Sequence, residues 1–288
     1  MLKAFVRSAI LFVVAGPFCS LVYAQTQPQT NSPAVAPVDG WTGQRVPQNQ
    51  PAGPAPRHDI FGIWDPGQGG IQAMGAAAMP EDGKAEHKLP YTPAGLEALN
   101  LTKPSNGSRS VLPGDTNDPV VTCNAQGIPR EDLYELRTTQ ILQTPASVMV
   151  LYEFGKVWRV IWTDGRDFPK NASARWFGYS IGKWEDDYTF VVQTTGINDE
   201  VWVDRAGRPH SPDLRVEERF HRVDHDTLEL TVTIDDLKMY TKPWVALDKL
   251  RFKLKPPSFD VREMICSPSE FAEYNRIIGN PASSKDPQ

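Results

Sequence analysis

The sequence contains little cysteine, little histidine and no excess of basic charge. Its 288 residues include three cysteines and five histidines, and 35 acidic side chains outnumber 30 basic ones, which gives a formal net charge of -5. An acidic balance does not favour a nucleic-acid partner, which would require a basic face. The sequence also lacks a serine nucleophile elbow, a phosphate-cradling glycine loop and a dinucleotide fingerprint. We therefore expect no cofactor.

The residues that are plentiful favour a β protein with many loops. Hydrophobic residues make up 40% and aromatic residues 10% of the chain, which is enough for a sizeable core. The 26 prolines and 21 glycines are many for a helical protein but ordinary for a loop-rich β protein. The length suits one large domain, with or without long extensions.

The N-terminus has the pattern of a secretory signal peptide. Lys3 and Arg7 precede an apolar run, and Val22 and Ala24 supply the small residues of a cleavage site, so we expect cleavage after residue 24. A membrane anchor is the alternative, but Gly16 and Pro17 interrupt a run that is already short for a span. Cys19 does not fit a lipoprotein site because bulky Phe18 precedes it. The prediction is a periplasmic or secreted protein with no stable membrane insertion after cleavage.

The remaining chain divides by composition. Residues 25–57 contain seven prolines and almost no periodic apolar residues, so we expect a disordered tether. Residues 58–136 are predicted to be an irregular wrapping segment that includes a short first strand and one helix at 91–100, capped by Thr92. Residues 137–279 are predicted to form a β-barrel with a C-terminal helix capped by Ser267, and residues 280–288 a disordered tail.

Alternation of apolar and polar residues predicts the strands of the barrel. The predicted strands are 148–154, 157–163, 176–184, 188–195, 215–223, 227–234, 249–254 and 261–265. Short turns join most of them, and closure removes the exposed edges of such a meander. The predicted fold is therefore mainly β, an antiparallel up-and-down barrel with a long N-terminal extension.

Several motifs resemble a known family. The segments WTDGR, RWFGYSIGKW, HSPDLRVEERF and YTKPW are similar to those of a large family of secreted, mostly uncharacterised bacterial proteins expected to be calycin-like β-barrels. The resemblance covers roughly residues 90–278. It implies a fold and a compartment but no reaction.

The strand at 215–223 carries charge on one whole face, formed by Arg215, Glu217, Arg219 and His221. This face is either a solvated, salt-bridged outer wall or the polar wall of a cavity. In the second case, His210 on the preceding loop would be the general base, with Glu217 as its partner acid.

Two further residues could complete that site. Asp164, in the WTDGR connection, could orient a histidine, and Arg166 or Arg219 could stabilise an anion. The candidate catalytic residues are therefore His210, Glu217, Asp164 and Arg219. Each also has a structural interpretation, such as an exposed loop histidine or a turn aspartate bonded to backbone amides.

Tryptophans and cysteines supply the other candidates. Trp158, Trp162, Trp176 and Trp202, together with Arg166, could bind a sugar or polycyclic ligand inside the barrel, although core packing is the commoner use of tryptophan. We predict no metal site, since His221 and His225 straddle a strand end and a turn. Cys123 and Cys266 remain after signal cleavage, and in an oxidising compartment we expect them to form a disulfide.

Two functions remain open. The first is an extracytoplasmic barrel that binds a small oxygenated organic molecule and could act on it as a cofactor-independent lyase, isomerase or hydrolase. The second is a noncatalytic carrier or envelope protein. Convergence of His210, Glu217, Arg219 and Asp164 on one enclosed pocket would favour the enzyme. The sequence does not determine the oligomeric state.

Overall fold

A computed structural model describes residues 53–67, 77–134, 136–171 and 173–281. The predicted signal peptide, most of the predicted tether and the final seven residues lie outside this range. None of the helices in the described ranges is long and apolar enough to cross a membrane.

Nine strands close into a barrel in sequence order. They are β1 Gly62–Asp65, β2 Thr139–Gln143, β3 Ser147–Tyr152, β4 Trp158–Trp162, β5 Tyr179–Trp184, β6 Thr189–Thr195, β7 Arg215–Asp224, β8 Thr227–Asp235 and β9 Trp244–Leu254. The pairing of Trp64 with Leu254 joins β1 to β9 and closes the wall. The prediction of a mainly β barrel with a C-terminal helix is confirmed.

One strand pair differs from the antiparallel prediction. β4 and β5 run parallel and are in register at only two positions, Ile161 with Ser180 and Trp162 with Ile181. A parallel pair needs a long crossover connection, and residues 163–178 supply it. The barrel is therefore mixed rather than strictly up-and-down.

The strand predictions fail where alternation breaks down. Residues 261–265 form no strand, and β2 was missed because one of its inward residues is the polar Thr139. β9 begins at Trp244, five residues before the predicted start. The prediction missed its first half because the register of β9 against β8 shifts between Leu230 and Thr233. Lys249 there has a φ of 51°. A bulge interrupts the period of two, so the first half of the strand does not alternate.

The inside of the barrel is apolar along most strands. Leu228, Leu230, Val232 and Ile234 on β8 are all buried, as their alternation predicts. Burying each such side chain contributes about 1.5–3 kcal/mol relative to leaving it exposed. The clean alternation of this strand therefore reflects one dry face and one wetter face.

Within the described ranges, three α-helices lie outside the strands: α1 Pro93–Leu101, α2 Arg130–Leu133 and α3 Pro268–Tyr274. The side chain of Thr92 accepts a hydrogen bond from the Gly95 amide at 3.0 Å, as the predicted cap requires. Ser267 caps α3 in the same way, and a π-helical turn, Asn275–Gly279, continues it. Residues 101–128 wrap the barrel with short 3-10 turns and lead into α2.

Candidate functional site

The charged face of β7 lies on the outside of the barrel. Glu217 accepts a hydrogen bond from Gln193 at 2.6 Å, and Arg219 forms an ion pair with Glu185 and lies 3.6 Å from Glu217. Both side chains of this pair are about one-third exposed. Of the two interpretations of this face, the salt-bridged outer wall is the one that matches the geometry.

His210 is buried in the loop before β7. Its Nδ1 lies 2.9 Å from the carbonyl oxygen of Ser211, whose hydroxyl and amide both donate to Asp236. Burial lowers the pKa of His210, although the Ser211 carbonyl and the Asp236 carboxylate oppose this effect. The imidazole is therefore held neutral inside a fixed loop rather than displayed at a mouth.

Asp164 and Arg166 form a local ion pair on an exposed connection. The Arg166 Nη2 lies 2.5 Å from the Asp164 carboxylate, and its guanidinium stacks 3.6 Å from the centroid of the Trp162 ring. Hydrogen bonding to Arg166 lowers the pKa of Asp164. His210, Glu217, Arg219 and Asp164 thus have separate partners in three places, and their catalytic roles stay predictions.

Three of the four candidate tryptophans lie together. Trp158, Trp162 and Trp176 line a cleft of about 390 Å³ between β4 and β5, whose lining also includes the buried Arg159 and Ser180. Trp158 and Trp162 lie on the outer face of β4 rather than inside the barrel. Trp158 is 60% exposed. Trp202 lies elsewhere and is buried, with the Arg130 guanidinium 5.2 Å from its ring centroid. Ligand binding by these tryptophans stays a prediction.

The interior of the barrel holds charged residues that sequence reasoning did not assign to a site. Arg159 on β4 and Glu218 on β7 point inward and form a two-bond ion pair. The signal was present, since each residue alternates with outward neighbours and shares a face with apolar residues such as Ile161 and Phe220. A charged residue that falls in register with the apolar positions of a strand is therefore expected to point inward as they do.

The short helix α2 brings three more ionisable side chains into this interior. Arg130, Glu131 and Asp132 are all buried, although three consecutive charges in a wrapping segment are usually solvated. Arg130 pairs with Asp118 through two hydrogen bonds of 2.7 and 2.5 Å. We call Asp118, Arg130, Glu131, Asp132, Tyr152, Arg159 and Glu218 the interior polar cluster.

Burial and mutual repulsion set the protonation of the acids in this cluster. Burial first, and then the Glu218 carboxylate, raise the pKa of Asp132 well above its ordinary value. Burial and the neighbouring Asp132 likewise raise the pKa of Glu131, against a lowering effect of Arg159 and Arg130. The surroundings of Glu131 and Asp132 therefore favour the neutral, protonated form of each carboxyl, which can donate a hydrogen bond.

A cleft leads from the surface to this cluster. It has a volume of about 380 Å³, and we call it the Gln126 cleft. Its walls are formed by Val120, Cys123, Asn124, Ala125, Gln126, Glu131, Tyr134, Phe154, Gly155, Val157, Ile265, Cys266 and Phe271. Aromatic and aliphatic side chains thus surround a small polar floor, which is the usual composition of a small-molecule site.

The polar floor contains a glutamine without hydrogen-bond partners. Gln126 is 5% exposed, and neither its amide oxygen nor its amide nitrogen has a partner in the described part of the chain. Gly127 fixes the backbone beside it at a φ of 67°, and a Cβ there would lie 2.1 Å from the Trp176 carbonyl oxygen. Only glycine fits this close approach, so the backbone next to Gln126 packs directly against Trp176.

The predicted disulfide is confirmed and lies at the rim of the same cleft. Cys123 and Cys266 are bonded, with their Cα atoms 5.5 Å apart. The bond ties the residue that ends the 3-10 turn Pro119–Thr122 to the residue just before the cap of α3. It therefore fixes two walls of the Gln126 cleft relative to each other.

The described residues contain no group of three or more His, Cys, Asp or Glu side chains placed to hold a metal ion. His221 instead contacts Thr189, and His225 contacts Asp226. Comparison of the chain with protein-family models, with curated proteins and with solved structures finds no match to any of them.

Proposed function

We propose that this β-barrel binds a small, neutral, oxygenated organic molecule in the Gln126 cleft. The observation that carries the proposal is the buried Gln126 amide, whose donor and acceptor both lack partners among the described residues. An unpartnered buried polar group costs about 1–3 kcal/mol, so a ligand that supplies both bonds would recover this free energy. A carboxamide, or another group with an adjacent donor and acceptor, is complementary to it.

Glu131 adds a second polar contact. Because the pKa of Glu131 is raised, its neutral carboxyl can donate to a carbonyl, ether or hydroxyl oxygen of the ligand. A charged ligand fits less well, because the Arg130–Asp118 and Arg159–Glu218 charges already pair with each other. The charge of a ligand would therefore be buried in a mainly apolar cleft without a partner. Phe154, Tyr134 and Phe271 provide apolar surface for a ring.

The proposed function is ligand binding without catalysis. The four residues predicted to act in catalysis do not line the Gln126 cleft. We therefore propose that the protein is a binding protein or carrier. The disulfide supports its export to an oxidising compartment, as the N-terminal pattern predicts.

Benzamide and toluene test the proposal, because they share a ring and differ in the polar group. We expect benzamide, but not toluene, to raise the melting temperature and to bind in calorimetric titration. Gln126→Met keeps the side-chain length and removes both polar atoms. It should abolish benzamide binding while leaving stability unchanged or higher.

The matched control is Gln140→Met, since Gln140 points outward from β2 and does not line the cleft. This control should bind benzamide as the unaltered protein does. Benzamide binding that survives Gln126→Met, or equal binding of toluene, would remove the basis for the proposed site.

A further inference from the structure

A second cleft lies between the segment around Lys84 and helix α1. Its volume is about 360 Å³, and it is lined by four cationic residues, Lys84, Lys88, Arg109 and Arg208, but by only one acidic residue, Glu81. We call it the basic cleft. This local excess of positive charge stands out in a chain whose formal charge is -5.

Several of these charges are already paired. Arg208 bonds to Asp204 at 2.7 Å, Glu81 bonds to Arg205 at 2.5 Å, and Lys84 lies 3.2 Å from Asp82. Lys88 and Arg109 have no carboxylate within ion-pair distance among the described residues. The basic cleft therefore keeps two cations without a counter-ion.

Arg109 is held in a fixed position by neutral acceptors. Its Nη2 donates to the carbonyl oxygens of Leu99 at 2.5 Å and Thr102 at 2.8 Å, and its Nη1 donates to the Thr102 hydroxyl at 3.2 Å. These three bonds use three of its five donor hydrogens. The remaining donors, on Nε and Nη1, have no acceptor in the described ranges, so the guanidinium is both oriented and available.

The rest of the basic cleft has a large apolar surface beside the polar His87, Asn106 and Ser108. Leu89, Leu96, Leu99 and Tyr91 line it, and Leu96 is 45% exposed in spite of its size. A bare inorganic anion would satisfy the cations but leave this surface in water. A molecule with a negative head and an apolar body would satisfy both.

We propose that the basic cleft binds an organic carboxylate with an apolar body, whose head lies between Arg109 and Lys88. The carboxylate accepts hydrogen bonds from the free donors of Arg109 and from the Lys88 ammonium. The apolar body covers Leu96 and Leu99. This site is separate from the Gln126 cleft and takes a charged rather than a neutral ligand.

Octanoate is the test ligand, with octan-1-ol and sulfate as probes of its two halves. Calorimetric titration of the full chain at low ionic strength should show binding of octanoate and at least tenfold weaker binding of both other compounds. Added salt should weaken octanoate binding, because the head group is partly exposed. If sulfate bound as tightly as octanoate, the apolar body would contribute nothing to binding. If octan-1-ol bound as tightly, the carboxylate would contribute nothing. Either result would overturn the proposal.

Variants locate the site. Lys88→Gln and Arg109→Gln should each weaken octanoate binding about three- to tenfold, whereas Lys103→Gln, an exposed lysine outside the cleft, should leave it unchanged. If Arg109→Gln does not fold, Lys88→Gln and Lys103→Gln still decide the matter, since the Lys88 side chain is exposed and forms no hydrogen bond or ion pair with the described residues. Unchanged octanoate affinity in Lys88→Gln, or an equal loss in Lys103→Gln, would overturn the proposal.

Discussion

Arg159 and Glu218 form an ion pair inside the barrel, with side chains that are 2% and 0% exposed. The Arg159 Nη1 donates to one carboxylate oxygen of Glu218 at 2.8 Å, and its Nη2 donates to the other. The pair joins β4 to β7 across the interior. Because each charge is buried, each depends on the other for stability.

We expect Glu218→Gln to lower the free energy of unfolding by about 3–5 kcal/mol, because it leaves the Arg159 charge uncompensated in the interior. Glu217→Gln, one residue away on the outer face, should change it by no more than about 0.5 kcal/mol. Denaturant titration of both variants measures the difference. Equal effects would show that the two faces of β7 are wrongly placed.

The raised pKa of Glu131 predicts a stability that falls with rising pH. Above its ordinary pKa of 4.5, Glu131 releases its proton in the unfolded chain but keeps it in the folded protein. The folded state then binds more protons, so the free energy of unfolding falls as pH rises from about 4.5 towards the raised pKa. Asp132 acts in the same direction from its ordinary value of 3.8.

Glu131→Gln should flatten this slope, because glutamine does not titrate, and Glu200→Gln, an exposed residue, should not. Denaturant midpoints measured between pH 5 and pH 8 provide the test. A slope that is unchanged in Glu131→Gln would contradict the protonated state assigned to this carboxyl.

His210→Ala should destabilise the protein by about 1–3 kcal/mol, since it removes a side chain that is 7% exposed and its bond to Ser211. The pKa of His210 is lowered, so its contribution is present above the ordinary value of 6.5 and is lost as pH falls below it. His225→Ala, at an exposed position, is the control. Thermal melts at pH 7.5 and pH 5.5 measure both effects, and a variant as stable as the control would contradict a structural role for the His210 side chain.

The disulfide closes a long loop, with its cysteines 143 residues apart in sequence. Cys123→Ser should therefore lower stability by about 4–5 kcal/mol in the chain-entropy model. It should also weaken benzamide binding, because the two cleft walls are no longer joined. Mass measurement with and without reductant should show a difference of two protons, and two free thiols in exported protein would disprove the pairing.

The strands with a clear period of two could be predicted from sequence, and the strands with a bulge or polar inward residues could not. β7 and β8 alternate without interruption over their inward positions, so both were found close to their observed bounds. β9 has a register shift and β2 has a buried threonine. In both strands the alternation of apolar and polar residues therefore does not identify the inward residues. Alternation of apolar and polar residues identifies the buried face of a strand only where the strand has no bulge.

The candidate site was harder to predict than the fold, because its residues come from distant parts of the chain. Gln126 and Glu131 lie in a wrapping segment with no period, and only their burial reveals them. Glu217, by contrast, is a candidate from sequence because it belongs to a charged strand face, but its side chain points outward. A charged face on a strand indicates solvent more readily than it indicates a site.

By itself, the sequence determined a mainly β chain, a C-terminal helix with its cap, and the two cysteines that pair, because each of these depends on local pattern or on residue count. Tertiary structure decided that Arg159, Glu218 and α2 meet inside the barrel and that the buried Gln126 amide has no hydrogen-bond partner among the described residues. It also decided that β4 and β5 run parallel. Burial, pairing and pKa depend on which distant side chains close the barrel, and no local pattern encodes that choice.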